Sequence, residues 1–247
     1  MATAVEIAKY LDHELNISHL EDSSCNGLQL ENRGEIKKII FAVDASQKTF
    51  AKAVEKKGQL LIVHHGLIWY GLKNITGLNY DKIKFLLENN LALYASHLPL
   101  DAHPKYGNNV QLAKMLNLER LWPFGSFGKE IGIIGKTDTT RSKIKEILQK
   151  NKIKTTALDF GPEKIKTIAI ISGGGSTELL TAIRKGADLY LTGEPLHYVY
   201  HQAEEAKINV IFGGHYETET GGLKALMPLL KEKFKVQTEF LDLPTPI

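Results

Sequence analysis

Two short segments of this chain carry the same pattern, a histidine followed four residues later by a carboxylic acid. His97 is followed by Asp101, and His215 is followed by Glu219. Imidazole and carboxylate groups together suit zinc, iron, manganese or nickel. Both histidines come after short apolar runs that are typical of buried strands, and α/β folds place their chemistry at the carboxyl ends of strands. The matched spacing therefore indicates potential metal ligands at two strand ends.

The adjacent pair His64-His65 follows the apolar run LLIV and adds two more potential ligands. Adjacent strand residues point to opposite faces, so both rings reach one site only if the chain turns there, which Gly66 permits. For a histidine pair alone, one core residue and one surface residue would be the simpler interpretation. Its coincidence with the other strand ends favours a shared metal site, with the predicted ligands His64, His65, Asp101, His215 and Glu219. These exceed the needs of one tetrahedral ion, and two divalent ions sharing a carboxylate are the natural arrangement.

Apolar, β-branched runs alternate with amphipathic runs along the chain, which predicts an α/β fold with mixed, at least partly parallel sheets. Asp44 or Ser46 is the expected N-cap of the helix QKTFAKAVEKKG. The segment around Trp122–Pro123–Phe124–Gly125 is predicted to be a loop. Predicted strands are KKIIFAV (37–43), QLLIVHHG, LALYASH, KEIGIIGK, KTTALDFG, KTIAIIS (166–172), ADLYLTGE and INVIFGGH.

The order strand, small loop, helix, Lys-Gly, strand, helix, strand occurs twice, about half a chain apart. The α/β proteins often repeat such units, so the order alone does not decide for a duplication. The matched histidine–acid spacing favours it. We therefore predict two α/β repeats, 1–125 with His64, His65 and Asp101, and 126–247 with His215 and Glu219, with the two halves interleaved.

Composition excludes several classes of protein. The formal net charge is +3, from 31 Lys and Arg against 28 Asp and Glu, so charge alone gives no support for nucleic-acid binding. The single cysteine, Cys25, excludes an intramolecular disulfide and a cysteine-rich zinc site. No run approaches the roughly 20 apolar residues of a membrane span, and the first residues lack the features of a signal peptide. We expect a cytoplasmic protein without a membrane segment.

Five segments together resemble a known family, the YbgI-like proteins, also called Nif-three-like proteins or GTP cyclohydrolase I type 2 homologs. The length resembles the short members that lack an inserted domain. Two departures concern substrate contacts, because many relatives have Trp-Asp-Asn in place of Ser24-Cys25-Asn26 and Lys in place of Tyr70. The segments are DSSCNGLQLE (22–31), IVHHGLIW (62–69), SHLPLDAHPKYGNN (96–109), TGE (192–194) and GGHYETETGG (213–222).

The resemblance implies a dinuclear metal site with the same five ligands, in which Glu219 or Asp101 bridges the ions. It also implies that His97 lies close by, as a catalytic residue or as support for a ligand. Two intertwined α/β halves and a ring-shaped homohexamer are further expectations from the resemblance.

The function that we expect is metal-dependent hydrolysis of a small molecule, with a nucleotide such as GTP suggested by the family's name. Two metals would provide hydroxide near neutral pH, and His97 would act as general base or acid. The alternative is a metal-dependent binding or regulatory module for nucleic acid or protein. A third interpretation, a scaffold without metal, requires the coincident ligands to be accidental.

Other motifs have simpler interpretations. The glycine loop Ser172–Ser176 lacks the ending of a P-loop, so a tight turn is favoured over a phosphate site. His197 and His201 lack the glutamate of a zinc-protease helix and are expected to be packing or rim residues, with His201 the nearer to the site. His103 is expected in a loop, and Cys25 is expected to behave as a small apolar residue.

Overall fold

The computed structural model describes residues 2–71, 73–125 and 130–245. The chain folds into two compact units. Unit one comprises the chain up to Leu100 together with Leu223–Leu243, and unit two comprises Asp101–Gly222 with the chain end from Pro244. Within the described ranges, no helix is long and apolar enough to cross a membrane.

Helices and strands alternate along most of the chain, as predicted. The helices are α1 (Ala4–Glu14), α2 (Gln47–Glu55), α3 (Gly77–Glu88), α4 (Leu98–Ala102), α5 (Asn108–Met115), α6 (Arg141–Lys150), α7 (Leu179–Arg184), α8 (Val199–Ala206), α9 (His215–Thr218) and α10 (Thr220–Phe234). The strands are β1 (Gly27–Leu30), β2 (Lys38–Asp44), β3 (Leu60–His65), β4 (Ala92–Ala95), β5 (Glu119–Phe124), β6 (Gly132–Thr140), β7 (Thr156–Asp159), β8 (Lys164–Ile170), β9 (Leu189–Thr192), β10 (Asn209–Phe212) and β11 (Gln237–Phe240).

Unit one contains a sheet with the strand order β1-β4-β3-β2-β11. Strands β4, β3, β2 and β11 are parallel, and β1 is antiparallel to β4. The central strands carry continuous buried apolar runs, as strands covered on both faces do. Ser46, one of the two expected caps, begins α2 by accepting a hydrogen bond from the Thr49 amide at 3.1 Å.

Unit two contains a sheet with the order β5-β6-β8-β9-β10-β7. Strands β8, β9 and β10 are parallel to one another. The antiparallel pairs are β5 with β6, β6 with β8, and β7 with β10. Alternate residues of β8 enter two apolar cores, Ile168 on one side and Ala169 on the other, so both faces of the sheet are covered. The predicted α/β fold with mixed sheets is confirmed.

The loop predicted around Trp122–Pro123 is wrong, because Glu119–Phe124 forms strand β5. Proline argues against a central strand, but β5 lies at the edge of its sheet and, among the described strands, pairs with β6 alone, so a missing amide donor is tolerated. Phe124 anchors the strand in the core, and Trp122 stays 48% exposed. Residue 126, where the second repeat is predicted to begin, lies outside the described residues. The internal duplication stays a prediction.

Candidate metal centre

Three histidines of unit one lie at the carboxyl ends of two neighbouring parallel strands. His64 and His65 end β3, and His97 comes shortly after β4. Val63 of β3 pairs with Ala95 of β4, which places these ends at the same edge of the sheet. The ring centroids of His64 lie 4.8 Å from His65 and 5.0 Å from His97, and one ring nitrogen from each of the three falls within a 4.8 Å cluster. The two adjacent histidines therefore do reach a common point.

Each of these rings is held at its Nδ1 by an oxygen that accepts hydrogen bonds. A carbonyl oxygen or an ionised carboxylate has no proton to give, so Nδ1 carries the hydrogen and Nε2 presents a lone pair. Metal-binding histidines are oriented in this way in proteins. The acceptors for His64, His65 and His97 are respectively the Ser96 carbonyl oxygen at 2.9 Å, Asp44 Oδ1 at 2.8 Å and Asp22 Oδ1 at 2.9 Å.

Asp22, which the sequence analysis did not single out, organises the surroundings of His97. Burial alone would raise the pKa of Asp22, but the hydrogen bonds from His97, Asn26 and Ser24 lower it to about 2. Asn26 Oδ1 in turn accepts the His97 amide at 2.7 Å, and Asp22 Oδ2 accepts the Leu98 amide at 3.0 Å. The polar run DSSCN was the available signal, since short Asp and Asn side chains bond nearby backbone.

Gly66 serves close packing beside this cluster. A Cβ at Gly66 would lie 2.4 Å from Gln29 Nε2 and 2.6 Å from Ala95 Cβ. Gln29 needs this position because its Oε1 accepts the Leu67 amide at 2.7 Å. The Gly66 carbonyl also accepts Trp69 Nε1 at 2.9 Å, and the indole lies edge-on to the His97 ring with centroids 5.0 Å apart. The absence of a side chain at Gly66 therefore allows Gln29 and Ala95 to pack against the backbone next to His65.

In unit two, His215 and Glu219 approach each other through helical spacing. His215 begins α9 and Glu219 follows it, which brings His215 Nε2 to 3.2 Å from Glu219 Oε1. His215 Nδ1 lies 2.6 Å from Glu194 Oε1. Burial alone would lower the pKa of His215, but the hydrogen bonds and charges of Glu219 and Glu194 raise it to about 9. Glu194 was expected only as part of the TGE segment, and its contact with His215 is new.

Asp101 lies in α4 and is only 5% exposed. Its Oδ1 accepts hydrogen bonds from Asn108 Nδ2 at 2.9 Å and from Ser172 Oγ at 2.8 Å. Burying a carboxylate is costly unless it is hydrogen-bonded or paired with a cation. Asp101 is therefore held in place by polar groups of its own unit.

The glycine loop bends at Gly173 against the ligands of unit two and continues into a short 3₁₀ helix, Gly175–Glu178. Gly173 has φ +61°, and a Cβ there would lie 2.0 Å from Glu219 Oε1 and 3.0 Å from His215 Nε2. Its amide donates to Thr218 Oγ1 at 3.0 Å. Glycine is needed both for the left-handed backbone and for the approach of the turn to the carboxylate.

The remaining histidines of interest lie in other surroundings. His197 and His201 are exposed, with ring centroids 6.3 Å apart. Neither belongs to a cluster of three potential ligands within the described ranges. His103 lies in a loop, as expected, where its Nδ1 accepts the Tyr106 amide at 3.0 Å.

The donor chemistry of each unit fits a divalent metal. Unit one presents imidazole nitrogens with fixed tautomers, and unit two presents an imidazole beside carboxylates. Nitrogen and oxygen donors of this kind bind zinc, iron, manganese and nickel. The His, Asp and Glu groups therefore form candidate metal ligands in both units.

Known proteins resemble the chain over its whole length. The family described as Duf34/NIF3 (NGG1p interacting factor 3) matches residues 2–246. A Pyrococcus horikoshii protein named GTP cyclohydrolase 1 type 2 homolog is 49% identical over 247 residues, covering 97% of this chain and 98% of the relative. The structure of protein ybgI, described as of unknown function, has a TM-score of 0.92 at 32% identity, with 100% of both chains covered. That of a Thermus thermophilus protein, TTHA1606, has a TM-score of 0.91 at 36% identity, with the same coverage.

Proposed function

Because the chain belongs to the Duf34/NIF3 family, we propose that it is a metal-dependent hydrolase that binds a pair of divalent ions. The expected resemblance to YbgI-like proteins is confirmed by the family match and the related structures. We propose two divalent ions per chain, of zinc, iron, manganese or nickel, and a hydrolytic reaction. The proposed metal ligands are His64, His65, Asp101, His215 and Glu219.

One observation carries the proposal, the orientation of four imidazole rings. His64, His65, His97 and His215 each have Nδ1 within 2.9 Å of a carbonyl or carboxylate oxygen. Any buried imidazole needs a partner for its N–H, and in all four of these rings the partner lies at Nδ1. Oxygen partners at Nδ1 increase the basicity of Nε2 and fix its direction, which is what metal ligation needs.

Bound divalent ions would supply water with a lowered pKa and would polarise a bond of the substrate. Asp22 holds His97 through its Nδ1, so Nε2 of His97 can accept a proton from water or later donate one to a leaving group. The contact of Trp69 with the His97 ring limits the movement of that ring. His97 is proposed to move protons, with its ring held by Asp22 and Trp69, while the five metal ligands bind and orient.

The substrate is proposed to be a small molecule, with nucleotides as the first class to test. This choice rests on relatives named GTP cyclohydrolase 1 type 2 homolog. We also propose a ring-shaped homohexamer, on the family resemblance, and a cytoplasmic location, because the one cysteine fits a reducing compartment. Light scattering at micromolar concentration tests the assembly, and a monomer would contradict the ring.

The function is tested by metal analysis followed by turnover. Protein purified without chelator or His-tag should contain, or take up, about two divalent ions per chain. His64→Ala and Glu219→Ala should each lose the pair while circular dichroism stays unchanged. Trace metal after reconstitution with zinc, manganese, iron and nickel would contradict the proposal.

Turnover distinguishes an enzyme from a binding module. GTP, nucleoside phosphates and generic phosphodiesters are incubated with wild type, Asp101→Asn and His97→Ala. Asp101→Asn should abolish activity, and His97→Ala should keep the metals but lose about 10²–10⁴-fold in rate. Activity that persists in Asp101→Asn would point to a contaminant. Nucleic-acid affinity that falls steeply with salt and ignores His97→Ala would favour the binding module.

A further inference from the structure

A buried polar network surrounds Asp101, and the proposed function leaves its purpose open. Asp101, Asn108 and Ser172 are 5%, 0% and 6% exposed. Oδ1 of Asp101 accepts two hydrogen bonds, from Asn108 Nδ2 and from Ser172 Oγ. A carboxylate oxygen has two lone-pair directions, and both are used here.

The donors cannot simply turn away from Asp101, because other bonds fix them. Asn108 Oδ1 accepts the Gly222 amide at 2.7 Å, which requires the NH₂ end of the side chain to face Asp101. The Ser172 amide donates to Asn109 Oδ1 at 2.7 Å, which holds the residue that carries the hydroxyl. Both donors are therefore oriented before any ligand arrives.

The same residues connect Asp101 with the segment that carries Glu219. Gly222, the partner of Asn108, follows Glu219 by three positions. Gly173, next to Ser172, donates to Thr218, the residue before Glu219. The network thus fixes the position of the Asp101 carboxylate relative to the segment that carries Glu219, a second candidate ligand of the same unit.

We propose that Asn108 and Ser172 are positioning residues that make Asp101 a one-oxygen metal ligand. This inference rests on the proposed function. With Oδ1 held by two donors, Asp101 would bind a metal ion through Oδ2 and would not chelate it with both oxygens. The arrangement fixes the direction in which Oδ2 would meet the ion.

Ser172→Ala tests the proposal because it removes one donor and little volume. Zinc affinity is measured by competition with a chromophoric chelator, and visible absorption is recorded on the cobalt-loaded protein. Removing such a supporting contact should weaken metal affinity about 10–100-fold. Release of Oδ1 should also let Asp101 chelate, so the cobalt absorption should weaken as the coordination number rises. A role confined to stability would not change that spectrum.

Two matched variants control for folding. Thr181 is a buried hydroxyl residue of the same unit that accepts a bond from Arg184 at 2.7 Å. Thr181→Ala should match Ser172→Ala in the unfolding temperature of the metal-free protein but keep wild-type affinity and spectrum. Ser172→Thr keeps the hydroxyl and should restore both readouts.

The possible results separate this inference from the proposed function. If wild type binds zinc and Ser172→Ala has the same zinc affinity and cobalt spectrum, the positioning role is wrong and the proposed function is unaffected. Equal losses in Ser172→Ala and Thr181→Ala would overturn it as well. Wild type that takes up no metal would overturn the proposed function, and the inference with it.

Discussion

Unit one and unit two fix their candidate ligands with opposite arrangements of charge. At the candidate site of unit one, three imidazoles lie together, and oxygens support them at Nδ1: the Ser96 carbonyl for His64, and the carboxylates of Asp44 and Asp22 for His65 and His97. In unit two, His215 has a carboxylate at each nitrogen, from Glu194 and Glu219. Asp101 is a third acid of the same unit, and Ser172 donates a hydrogen bond to it. Neutral ligands can lie at the end of a buried strand. Anionic ligands need turns and amide donors around them, because burial without such partners is costly.

The largest difference between the two units is expected when alanine replaces Gly173 in unit two or Gly66 in unit one. In unit two, Gly173→Ala would place a methyl group where Glu219 Oε1 lies, with His215 Nε2 at 3.0 Å. Alanine in the left-handed region costs about 1–2 kcal/mol, but the side chains can move aside, so the fold should survive this cost while metal uptake is lost. Metal content after reconstitution and circular dichroism would measure the two effects.

In unit one, Gly66→Ala serves as the contrasting variant. Its methyl group would meet the fully buried Ala95 and the partly buried Gln29, which is held by hydrogen bonds. Overpacking of this kind costs about 1–3 kcal/mol of stability. We expect a lower free energy of unfolding in denaturant for the metal-free protein. The comparison fails if Gly173→Ala unfolds the protein and Gly66→Ala leaves its stability unchanged.

The next effect concerns the carboxylates that support histidines. Asp44→Asn and Glu194→Gln weaken the orientation of the ligands His65 and His215, and each should lower zinc affinity about 10–100-fold. Asp22→Asn acts on His97, so it should reduce turnover and leave metal content at the wild-type level. Equal loss of metal in all three variants would mean that His97 is itself a ligand.

The smallest effect is expected in acid, where two carboxylates share a pKa of about 2 but differ in exposure. A carboxyl group with a lowered pKa stabilises the fold above its ordinary pKa, and the contribution is lost as pH falls toward the folded value. The windows run from 3.8 to about 2 for Asp22 and from 4.5 to about 2 for Glu146. The Asp22 side chain is 2% exposed, whereas that of Glu146 is 45% exposed and its ion pairs are screened by solvent.

Asp22→Asn should therefore flatten the loss of thermal stability between pH 5 and pH 2 more than Glu146→Gln does. The unfolding temperature is followed by circular dichroism in the presence of chelator, so that metal loss does not contribute. A larger change in Glu146→Gln would show that the hydrogen bonds to Asp22 contribute less than its burial suggests.

The strand ends could be predicted from the sequence because buried parallel strands leave a strong local signal. The run LLIV before His64 and the run before His97 are continuous and apolar, which fixes both histidines at the same edge of a sheet. The fold class therefore brings the predicted ligands His64 and His65 to the strand end that precedes His97, whose closeness was expected only from the family resemblance. The dinuclear site and the role of His97 remain proposals.

The supporting residues were harder to find, because their role depends on distant pairings. Asp22 meets His97 across 75 positions, and Ser172 meets Asp101 across 71 positions. No local period encodes such contacts. The same reason explains strand β5, where Pro123 argued for a loop and only the edge position in the sheet overrides that argument.

Strand β11 has a consequence for synthesis of the protein. It pairs with β2 through Gln237–Phe240 against Lys38–Phe41, so the sheet of unit one is completed by a strand that is synthesised long after β2. A ribosome that adds roughly 5–20 residues per second will have released β2 many seconds before its partner emerges. During that interval β2 is an edge strand with five buried-type residues in a row, and such an edge can pair with another chain. The edge of β2 therefore stays open for as long as the ribosome needs to synthesise the chain between β2 and β11.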